Sequence, residues 1–462
     1  MRTLHVITGL GAGGAEQQLR LLLRHLPVHS DVIALTHADA VARGLRADGV
    51  RVLDLGMRGN RDLAALPRLT RAIRAGRYDL VHTHLYRACV YGRIAARLAG
   101  VRTVLATEHS LGHTHIEGRP LTAGTRALYL ATERLGSATV AVSGTIADRL
   151  RDWGVPSERV HTIPNGIDAA RFRHDPAARA AARARLGIPH DAYVAGGVGR
   201  LVPGKRFDTA VRAVAALPGV HLLLVGDGPE RAALARLARM MGAADRVHLV
   251  GERDGAVAPS VAPSAATYGV PSAAPYGAPH GGTHGGTHGA TAGDPEGGRA
   301  TEIPALLAAM DVCVSPSTEE AFGLAVLEAL AAGLPVLHVT CPAIDELPLA
   351  DAPGAQRVGP STPELTAALR AHAARGAHRL PVPPAVHRYA IERTADQLLS
   401  LYARLHAAAT APHAPPAAPA HPPYPAPTPA RGARQQRPPA RGTTPGGPPR
   451  TTDHHDLKDA TR

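Results

Sequence analysis

Short apolar runs alternate along this chain with longer segments that are apolar on one side only. The runs predict buried strands, and the amphipathic segments between them predict helices. The predicted strands are residues 4–8, 31–35, 50–55, 79–84, 101–106 and 138–143, followed by 192–198, 221–225, 247–251, 310–314 and 335–340. Strands separated by helices are typical of parallel, doubly wound sheets, so the sequence predicts an α/β fold.

The stretch at residues 315–336 is the most informative part of the chain. A polar turn follows a predicted strand, and an Ala/Leu-rich helix that is expected to begin at about Phe322 follows the turn. Gly333 stands where a glycine commonly ends a helix. Glu320 is therefore expected in the loop before the helix and Glu328 within it. Both lie at the sheet edge where such folds bind ligands.

The beginning of this helix is a predicted phosphate site. The backbone N–H groups around Phe322, Gly323 and Leu324 come before the first helical hydrogen bonds, so they form the positive end of the helix. Phosphate groups bind readily at such ends. Arg200 and Lys205 follow the predicted strand 192–198, and they are expected to flank a diphosphate. Apart from Lys458 near the chain end, Lys205 is the only lysine.

The string Glu320-Ala-Phe-Gly, with Glu328 eight positions after the first glutamate, resembles the E-x7-E motif of retaining family 4 glycosyltransferases with the GT-B fold. Two glutamates alone would be weak evidence, because many helices carry solvated carboxylates. The full string is more specific. Residues 163–168 and 225–230 are similar to the N-G-[IV]-D and V-G-x-G-P-E stretches of that family. The resemblance covers about residues 3–405 apart from an insertion.

The resemblance implies two Rossmann-like domains that face one another across a cleft. It implies transfer of a sugar from a nucleotide diphosphate sugar to a glycan, lipid or small molecule, with retention of the anomeric configuration. The implied roles are donor diphosphate binding by Arg200, Lys205, Phe322, Gly323 and Leu324, ribose binding by Glu328, and contact with the donor sugar by Glu320 and His109.

A glycine-rich turn at residues 9–14 leaves a second enzyme class open. It matches G-x-G-x-x-G after a strand, the dinucleotide fingerprint of Rossmann oxidoreductases. That reading requires an acidic residue at the end of the second strand, but the strand runs into Thr36 and His37 instead. In the other reading, Gly13 and Gly14 let the backbone approach a diphosphate or an acceptor sugar.

Charge and composition limit the classes of molecule that are expected to bind this chain. The net charge is +13, but no basic helix carries interleaved aromatic residues, so nucleic acid is not expected as a partner. Arg68, Arg71 and Arg74 form a basic helix face that could contact an anionic membrane surface. The chain begins without a signal-peptide pattern, and no run reaches the ~18 apolar residues of a membrane span. We expect a cytoplasmic protein, with peripheral membrane contact left open.

No metal or other cofactor is expected. His82 with His84, and His109 with the nearby histidines, are conceivable ligands, but neither set has a carboxylate or cysteine partner at useful spacing. Three scattered cysteines exclude a disulfide framework. Fixed cationic groups can stabilise a leaving diphosphate without a metal ion.

Composition also predicts the domain boundaries. The Ala/Pro/Gly/Ser/Thr-rich segment 254–300 and the Pro/Ala-rich tail are expected to be disordered. The predicted units are an N-terminal domain at 1–168, a linker at 169–190 that contains a polar helix at 176–186, a nucleotide-sugar-binding domain at 191–385 that contains the insertion, a crossover helix at 386–406 and the tail at 407–462. A nucleotide-sugar epimerase and a non-catalytic sugar-nucleotide-binding protein remain as alternatives. The sequence identifies neither the sugar, the base nor the acceptor.

Overall fold

The computed structural model describes residues 1–112, 115–116, 119–252 and 302–411. The predicted insertion at 254–300 lies outside the described residues, and so does the predicted tail beyond residue 411. Residues Met1–Ala411 form one compact unit. Within the described ranges, no helix combines the length and the apolar character needed to cross a membrane.

Seven parallel strands form the first sheet. They are β1 (Arg2–Ile7), β2 (His29–Ala34), β3 (Val52–Asp54), β4 (Leu80–His84), β5 (Thr103–Glu108), β8 (Ala138–Ala141) and β9 (Val160–Thr162). Their order is β3-β2-β1-β4-β5-β8-β9, and β6 (His115–Ile116) and β7 (Arg119–Pro120) form a separate antiparallel ribbon. β4 and β5 are buried along their whole length, as expected for central strands that are covered on both faces.

Helices connect the strands of this sheet. They are α1 (Gly14–Leu23), α2 (Ala40–Ala47), α3 (Ala65–Gly76), α4 (Tyr86–Leu98), α5 (Ala123–Glu133) and α6 (Gly144–Trp153), with short 3-10 helices at Ser157–Arg159 and Ala169–Phe172. The Ser143 side chain accepts a hydrogen bond from the Ile146 N–H and caps α6, as its position before the helix predicts. A linker helix, α7 (Pro176–Leu186), then leads to the second sheet, over the residues that the sequence predicts.

Six parallel strands form the second sheet. They are β10 (Tyr193–Val198), β11 (Val220–Val225), β12 (Val247–Leu249), β13 (Val312–Ser315), β14 (Val336–His338) and β15 (Ala355–Arg357), in the order β12-β11-β10-β13-β14-β15. The described helices of this half are α8 (Phe207–Ala215), α9 (Arg231–Met240), α10 (Ile303–Ala309), α11 (Leu324–Ala331), α12 (Pro342–Asp345), α13 (Thr362–Arg375), α14 (Pro384–Arg388) and α15 (Ile391–Thr410), with 3-10 helices at Pro203–Lys205 and Leu349–Asp351. The α/β fold with two doubly wound sheets is confirmed.

The last helix returns to the first sheet. Its apolar face, which includes Ile391, Leu398 and Leu401, packs in one core cluster with Leu80 and Leu105 of the first sheet. The helix continues to Thr410, so the predicted end at residue 406 is four residues too early. Since residues 407–410 are Ala-rich, the helix extends into the beginning of the predicted tail.

One buried carboxylate ties the linker helix to the second sheet. Asp311 accepts hydrogen bonds from Arg183 Nη2 at 2.8 Å, from Arg179 Nη2 at 2.6 Å and from the Val194 N–H at 2.7 Å. Arg183 is 1% exposed, and its other donors bond to backbone carbonyls, including that of Ala309. The sequence predicts a polar helix here, but its Arg183 side chain lies inside the fold.

Replacing Asp311 with alanine should destabilise the protein by about 3–5 kcal/mol, because two arginines then lose their buried counter-ion. The exposed pair of Asp148 and Arg151 provides a control, since Asp148→Ala should change stability by about 1 kcal/mol or less. Denaturant unfolding of both variants measures the difference. Equal destabilisation by the two substitutions would contradict the central position assigned to Asp311.

Candidate active site

Each sheet has one topological switch point, where the chain leaves one side of its first strand and continues on the other. These points lie between β1 and β4 in the first sheet and between β10 and β13 in the second. Crevices at the carboxyl ends of such strand pairs are the usual ligand sites of doubly wound folds. Most of the predicted site residues follow these strands, and His109 follows β5, the strand beside β4.

The second switch point brings together Lys205 and Glu320. Lys205 ends the 3-10 helix after β10, Glu320 lies in the loop after β13, and the Lys205 ammonium forms an ion pair with the Glu320 carboxylate. Their side chains are 26% and 14% exposed, so both remain accessible from the cleft. The next residue, Arg206, has a left-handed backbone with φ of 52°. Such strain outside glycine is concentrated at functional sites.

The start of α11 offers unpaired donors beside this ion pair. Among the described residues, the N–H groups of Phe322, Gly323 and Leu324 donate to no protein acceptor. Gly323 is the N-cap, with φ of 106°, and a Cβ there would lie 2.4 Å from the Cys341 Sγ. Glycine is therefore required on both conformational and steric grounds. The helix begins at Leu324, two residues later than predicted, because Gly323 cannot be helical in this conformation.

Glu328 lies within α11, as predicted, and is half-buried. Burial raises the pKa of its carboxyl, and the nearby Arg171 guanidinium acts in the opposite direction. Arg171 belongs to the 3-10 helix after the first sheet, and its Nη2 is buried without a hydrogen-bond partner among the described residues. The 3-10 helix of the linker region thus lies close to the helix that carries the second glutamate.

The glycine turn of the first sheet faces the second half of the chain. A Cβ on Gly14 would lie 3.7 Å from the Leu324 side chain, so the turn approaches the start of α11. Gly13 caps α1, and the Glu16 carboxylate folds back over it, 2.3 Å from where a Cβ would stand. Burial raises the pKa of the Glu16 carboxyl, while its own N–H and the positive charge of Arg200 lower it. Glu16 therefore lies within electrostatic range of the predicted phosphate ligand Arg200.

Four histidines lie together at the first switch point. His5 Nδ1 is 3.0 Å from His84 Nε2, and His84 Nδ1 is 3.2 Å from His109 Nε2. His82 is bound separately, to the Tyr402 hydroxyl and to Thr107 Oγ1, each at 2.7 Å. Desolvation lowers the pKa of His5 to about 3 and that of His109 to about 4.

Three of these rings have the composition of a metal site. Ligand atoms of His5, His82 and His84 lie within 4.8 Å of one another. Both nitrogens of His82 and both of His84 are already engaged in hydrogen bonds, however, so a metal would have to displace them. The other conceivable set combines His109 with His113 and His115, and the side chains of His113 and His115 lie outside the described residues.

Contacts between the two halves close the cleft around α6. The Glu346 carboxylate accepts hydrogen bonds from the N–H groups of Gly144 and Thr145, at 2.9 and 2.8 Å, and from Thr145 Oγ1. The Ser143 hydroxyl donates to the Ala321 carbonyl at 2.7 Å. Glu346 therefore places its negative charge at the positive end of a helix from the other half.

Arg149, also on α6, links the loops that carry two predicted site residues. It donates to the carbonyl of Leu111, in the loop that follows His109, and forms a 3.5 Å ion pair with Glu319, which precedes Glu320. Its side chain is only 12% exposed. The loops after β5 and β13 are therefore held together by one arginine.

Three family models match the chain. The model described as Glycosyltransferase Family 4 matches residues 12–171, and two models described as Glycosyl transferases group 1 match residues 178–278 and 297–371. Each sheet is thus covered by a matching model. The chain belongs to glycosyltransferase family 4.

Curated relatives and solved structures agree with this family. A D-inositol 3-phosphate glycosyltransferase of Salinispora arenicola is 29% identical over 57% of this chain, and a GDP-mannose-dependent alpha-mannosyltransferase of Mycobacterium tuberculosis is 30% identical over 63% of it. The matched regions span 54% and 64% of those relatives.

The fold is shared over a greater length. Anabaena HepE, solved with UDP and glucose, has a TM-score of 0.69 at 19% identity, covering 87% of this chain and 99% of its own. Sucrose-phosphate synthase of Thermosynechococcus elongatus has a TM-score of 0.63 at 22% identity, covering 88% of this chain and 100% of its own. The predicted GT-B fold is confirmed.

In this family 4 chain, the predicted site residues fall into three groups. Glu320, Lys205 and the start of α11 lie at one switch point, and Gly13 and Gly14 lie opposite that helix start. The loop that follows His109 is linked to the Glu320 loop through Arg149, and Glu328 lies further along α11, near Arg171. The roles assigned to these residues remain predictions.

Sequence reasoning missed several residues around the cleft. Glu16 carried a signal, because a glutamate three positions after an N-cap is the acidic member of a capping box. His5 also carried a signal, because it lies on a predicted strand. Its side chain can therefore meet histidines that point to the same face of a neighbouring strand. No sequence signal marks Glu346 and Arg149, because the residues that they contact are more than thirty positions away in sequence.

Glu346→Ala should loosen closure of the cleft, because α6 loses its capping carboxylate. Stability should fall by about 1 kcal/mol, the usual value of a helix cap. Small-angle scattering should detect a larger radius of gyration for this variant than for wild type.

Glu364→Ala provides the matched control. Glu364 belongs to the capping box of α13 with Ser361, inside the second half, so its loss should cost similar stability without opening the cleft. Identical scattering by wild type and both variants would contradict the closure assigned to Glu346.

Proposed function

We propose that this chain transfers a sugar from a nucleotide diphosphate sugar to an acceptor, with retention of the anomeric configuration. The observation that carries the proposal is the ion pair of Lys205 and Glu320 beside the unpaired N–H groups that begin α11. One cation, one carboxylate and a helix start are grouped at a switch point. This arrangement suits a donor whose diphosphate is anionic and whose sugar becomes positively charged during transfer.

The diphosphate binds between Lys205, Arg200 and the N–H groups of Phe322, Gly323 and Leu324. When it binds, its oxygens take over the Lys205 ammonium and release the Glu320 carboxylate. As the bond to the sugar breaks, negative charge grows on the diphosphate, and these fixed donors stabilise it without reorganising. The family membership and the UDP-bound fold relative HepE support a nucleotide sugar as the donor.

The two glutamates have different parts in this mechanism. Glu320, once released from Lys205, lies beside the reacting sugar and stabilises its developing positive charge. Glu328 binds the ribose, which does not change during the reaction. His109 contacts the donor sugar from the side of the first sheet.

The acceptor is not identified by the site. One relative is named for D-inositol 3-phosphate and another for GDP-mannose, whereas HepE was solved with UDP, so the nucleotide base differs among similar proteins. A thermal-shift screen of UDP- and GDP-sugars selects the donor first, because a tight ligand raises apparent stability by mass action.

An epimerase is the alternative reaction on this fold. UDP-GlcNAc 2-epimerase of Methanocaldococcus jannaschii has a TM-score of 0.52 at 10% identity, so the fold alone does not separate the two activities. The matching family models are all of glycosyltransferases, which favours transfer. Product analysis without an acceptor distinguishes them, since only an epimerase then yields a new nucleotide sugar.

Glu320→Gln should lower kcat by about 100-fold or more, because it removes a stabiliser of the transition state. Glu328→Gln should instead raise the donor KM more than it lowers kcat, because the ribose interaction is nearly equal in ground and transition states. Steady-state kinetics with the selected donor measures both.

Glu319→Gln is the matched control for the first variant. It removes the same charge from the neighbouring position, where the carboxylate contacts Arg149 rather than Lys205. Its kcat should stay close to wild type. Unchanged kcat in Glu320→Gln, or the same kinetic pattern in Glu320→Gln and Glu328→Gln, would refute the assigned roles.

We also propose that transfer needs no divalent metal, because fixed protein donors supply the charge at the diphosphate. Turnover should survive dialysis against a chelator. Loss of activity that magnesium or manganese restores would refute this part of the proposal.

Peripheral membrane contact is proposed for the face around α3. Leu63 is 75% exposed and lies between Arg61 and Arg68, with Arg71 exposed one turn further on. An exposed apolar side chain among arginines suits an anionic lipid surface. Co-sedimentation with anionic vesicles should be weakened by Leu63→Ser and not by Leu349→Ser, which changes an even more exposed leucine of the other half. Equal binding by all three proteins would exclude this face.

A further inference from the structure

Three imidazoles form a continuous chain of hydrogen bonds from the interior of the first sheet to its carboxyl edge. The chain runs from His5 Nδ1 to His84 Nε2 at 3.0 Å, and from His84 Nδ1 to His109 Nε2 at 3.2 Å. His5 is 0% exposed and His84 is 1% exposed, whereas His109 is half-buried where β5 ends. The chain thus connects an enclosed ring to the ring that the proposed function places beside the donor sugar.

Strand geometry explains why these rings meet. His5 of β1 is the direct neighbour of His82 on β4, and His84 follows two residues later on the same face. Thr107 of β5 is the neighbour of His84, so His109 lies two positions beyond it, again on that face. Alternation along three parallel strands therefore brings the rings into one row.

All three rings are neutral near pH 7. Burial lowers the pKa of His5 to about 3, that of His109 to about 4, and that of His84 well below its usual value. A neutral imidazole has one N–H and one bare nitrogen. Because His84 uses both nitrogens, it donates in one hydrogen bond and accepts in the other. The two bonds must therefore point in the same direction along the chain.

The ends of the chain decide that direction. His5 Nε2 and His109 Nδ1 are both buried without a partner among the described residues. If the bonds pointed inward, His5 Nε2 would carry an N–H that has no acceptor in an enclosed site, and orphaned buried N–H groups are rare. If they point outward, the unpartnered N–H is at His109 Nδ1 instead. This atom is also enclosed in the ligand-free protein, but its ring is half-buried at the carboxyl edge of the sheet, so a shift of that ring on binding lets a ligand accept the N–H.

We propose that His5 and His84 are positioning residues that hold His109 in the tautomer protonated on Nδ1, so that His109 donates a hydrogen bond to the bound sugar. This inference rests on the proposed function for the identity of the ligand. The tautomer itself is a property of the ligand-free protein, so it can be tested without any turnover. His82 is not part of the relay, because its two nitrogens bind Tyr402 and Thr107.

Nitrogen-15 NMR of the histidine side chains tests the proposal. Loss of one ring's signals in His109→Gln assigns His109 among the 26 histidines. In wild type, His109 should have a protonated Nδ1 and a bare Nε2. In His84→Leu, which cannot relay a hydrogen bond, both tautomers should be populated.

His82→Leu is the matched control. It removes an equally buried imidazole from the neighbouring position but leaves the chain intact, so the His109 tautomer should not change. A protonated Nε2 on His109 in wild type would overturn the proposal, and so would an unchanged tautomer in His84→Leu. If His84→Leu does not fold, His84→Gln replaces it, since its amide can support the chain in either direction, and the wild-type spectrum still decides.

Kinetics separates this inference from the proposed function. If His84 acts only through His109, the double variant His84→Leu/His109→Gln should have the same kcat as His109→Gln alone, a non-additive result. Additive losses would overturn the positioning role. If His109→Gln keeps full activity while the wild-type NMR tautomer is as expected, the relay stands and the proposed contact of His109 with the sugar is wrong.

Discussion

The ion pair of Lys205 and Glu320 is the interaction on which the account of the cleft depends. It joins the loops after β10 and β13, the two strands that border the switch point of the second sheet. Gly323 makes the neighbouring helix start possible, because its positive φ and missing side chain let α11 begin directly above Cys341. A cation, a carboxylate and unpaired N–H groups are thereby grouped at the carboxyl ends of two adjacent strands. Precise positioning of this kind is what electrostatic catalysis requires.

Closure of the cleft depends on polar contacts from α6. Glu346 caps this helix from the other half, Ser143 reaches the Ala321 carbonyl, and Arg149 contacts the Glu319 carboxylate. These groups are polar and partly solvated, so each contributes little. Hinge motion between the halves is compatible with such contacts, whereas the apolar packing of α15 on the first sheet is a permanent connection. One core cluster also contains buried apolar residues of both halves, such as Ile146 and Ile344, so the polar contacts are not the whole connection between them.

Much of the fold could be predicted from the sequence, because apolar runs and helix signals are local. The linker helix α7 was predicted at its observed bounds, and the end of α11 at Gly333 was correct, since each depends on residues within one or two turns. The start of α11 was placed two residues early, because the conformation of Gly323 depends on Cys341 beneath it. The burial of Arg183 and the pairing of Lys205 with Glu320 could not be predicted, because their partners are more than one hundred residues away. The row of His5, His84 and His109 could be predicted from the sequence, because the alternation of side chains along each strand and the order of the strands together determine it.

The central claim is that a donor diphosphate replaces the Glu320 carboxylate on Lys205. Titration calorimetry of UDP and GDP against wild type, Lys205→Met and Glu320→Gln tests it most directly. The account predicts that Lys205→Met weakens the better-bound diphosphate by about tenfold or more, because a charge-assisted hydrogen bond is lost. Glu320→Gln should bind that diphosphate at least as tightly as wild type, because the competing carboxylate is gone. Equal affinity in wild type and Lys205→Met, or weaker binding by Glu320→Gln, would contradict the account.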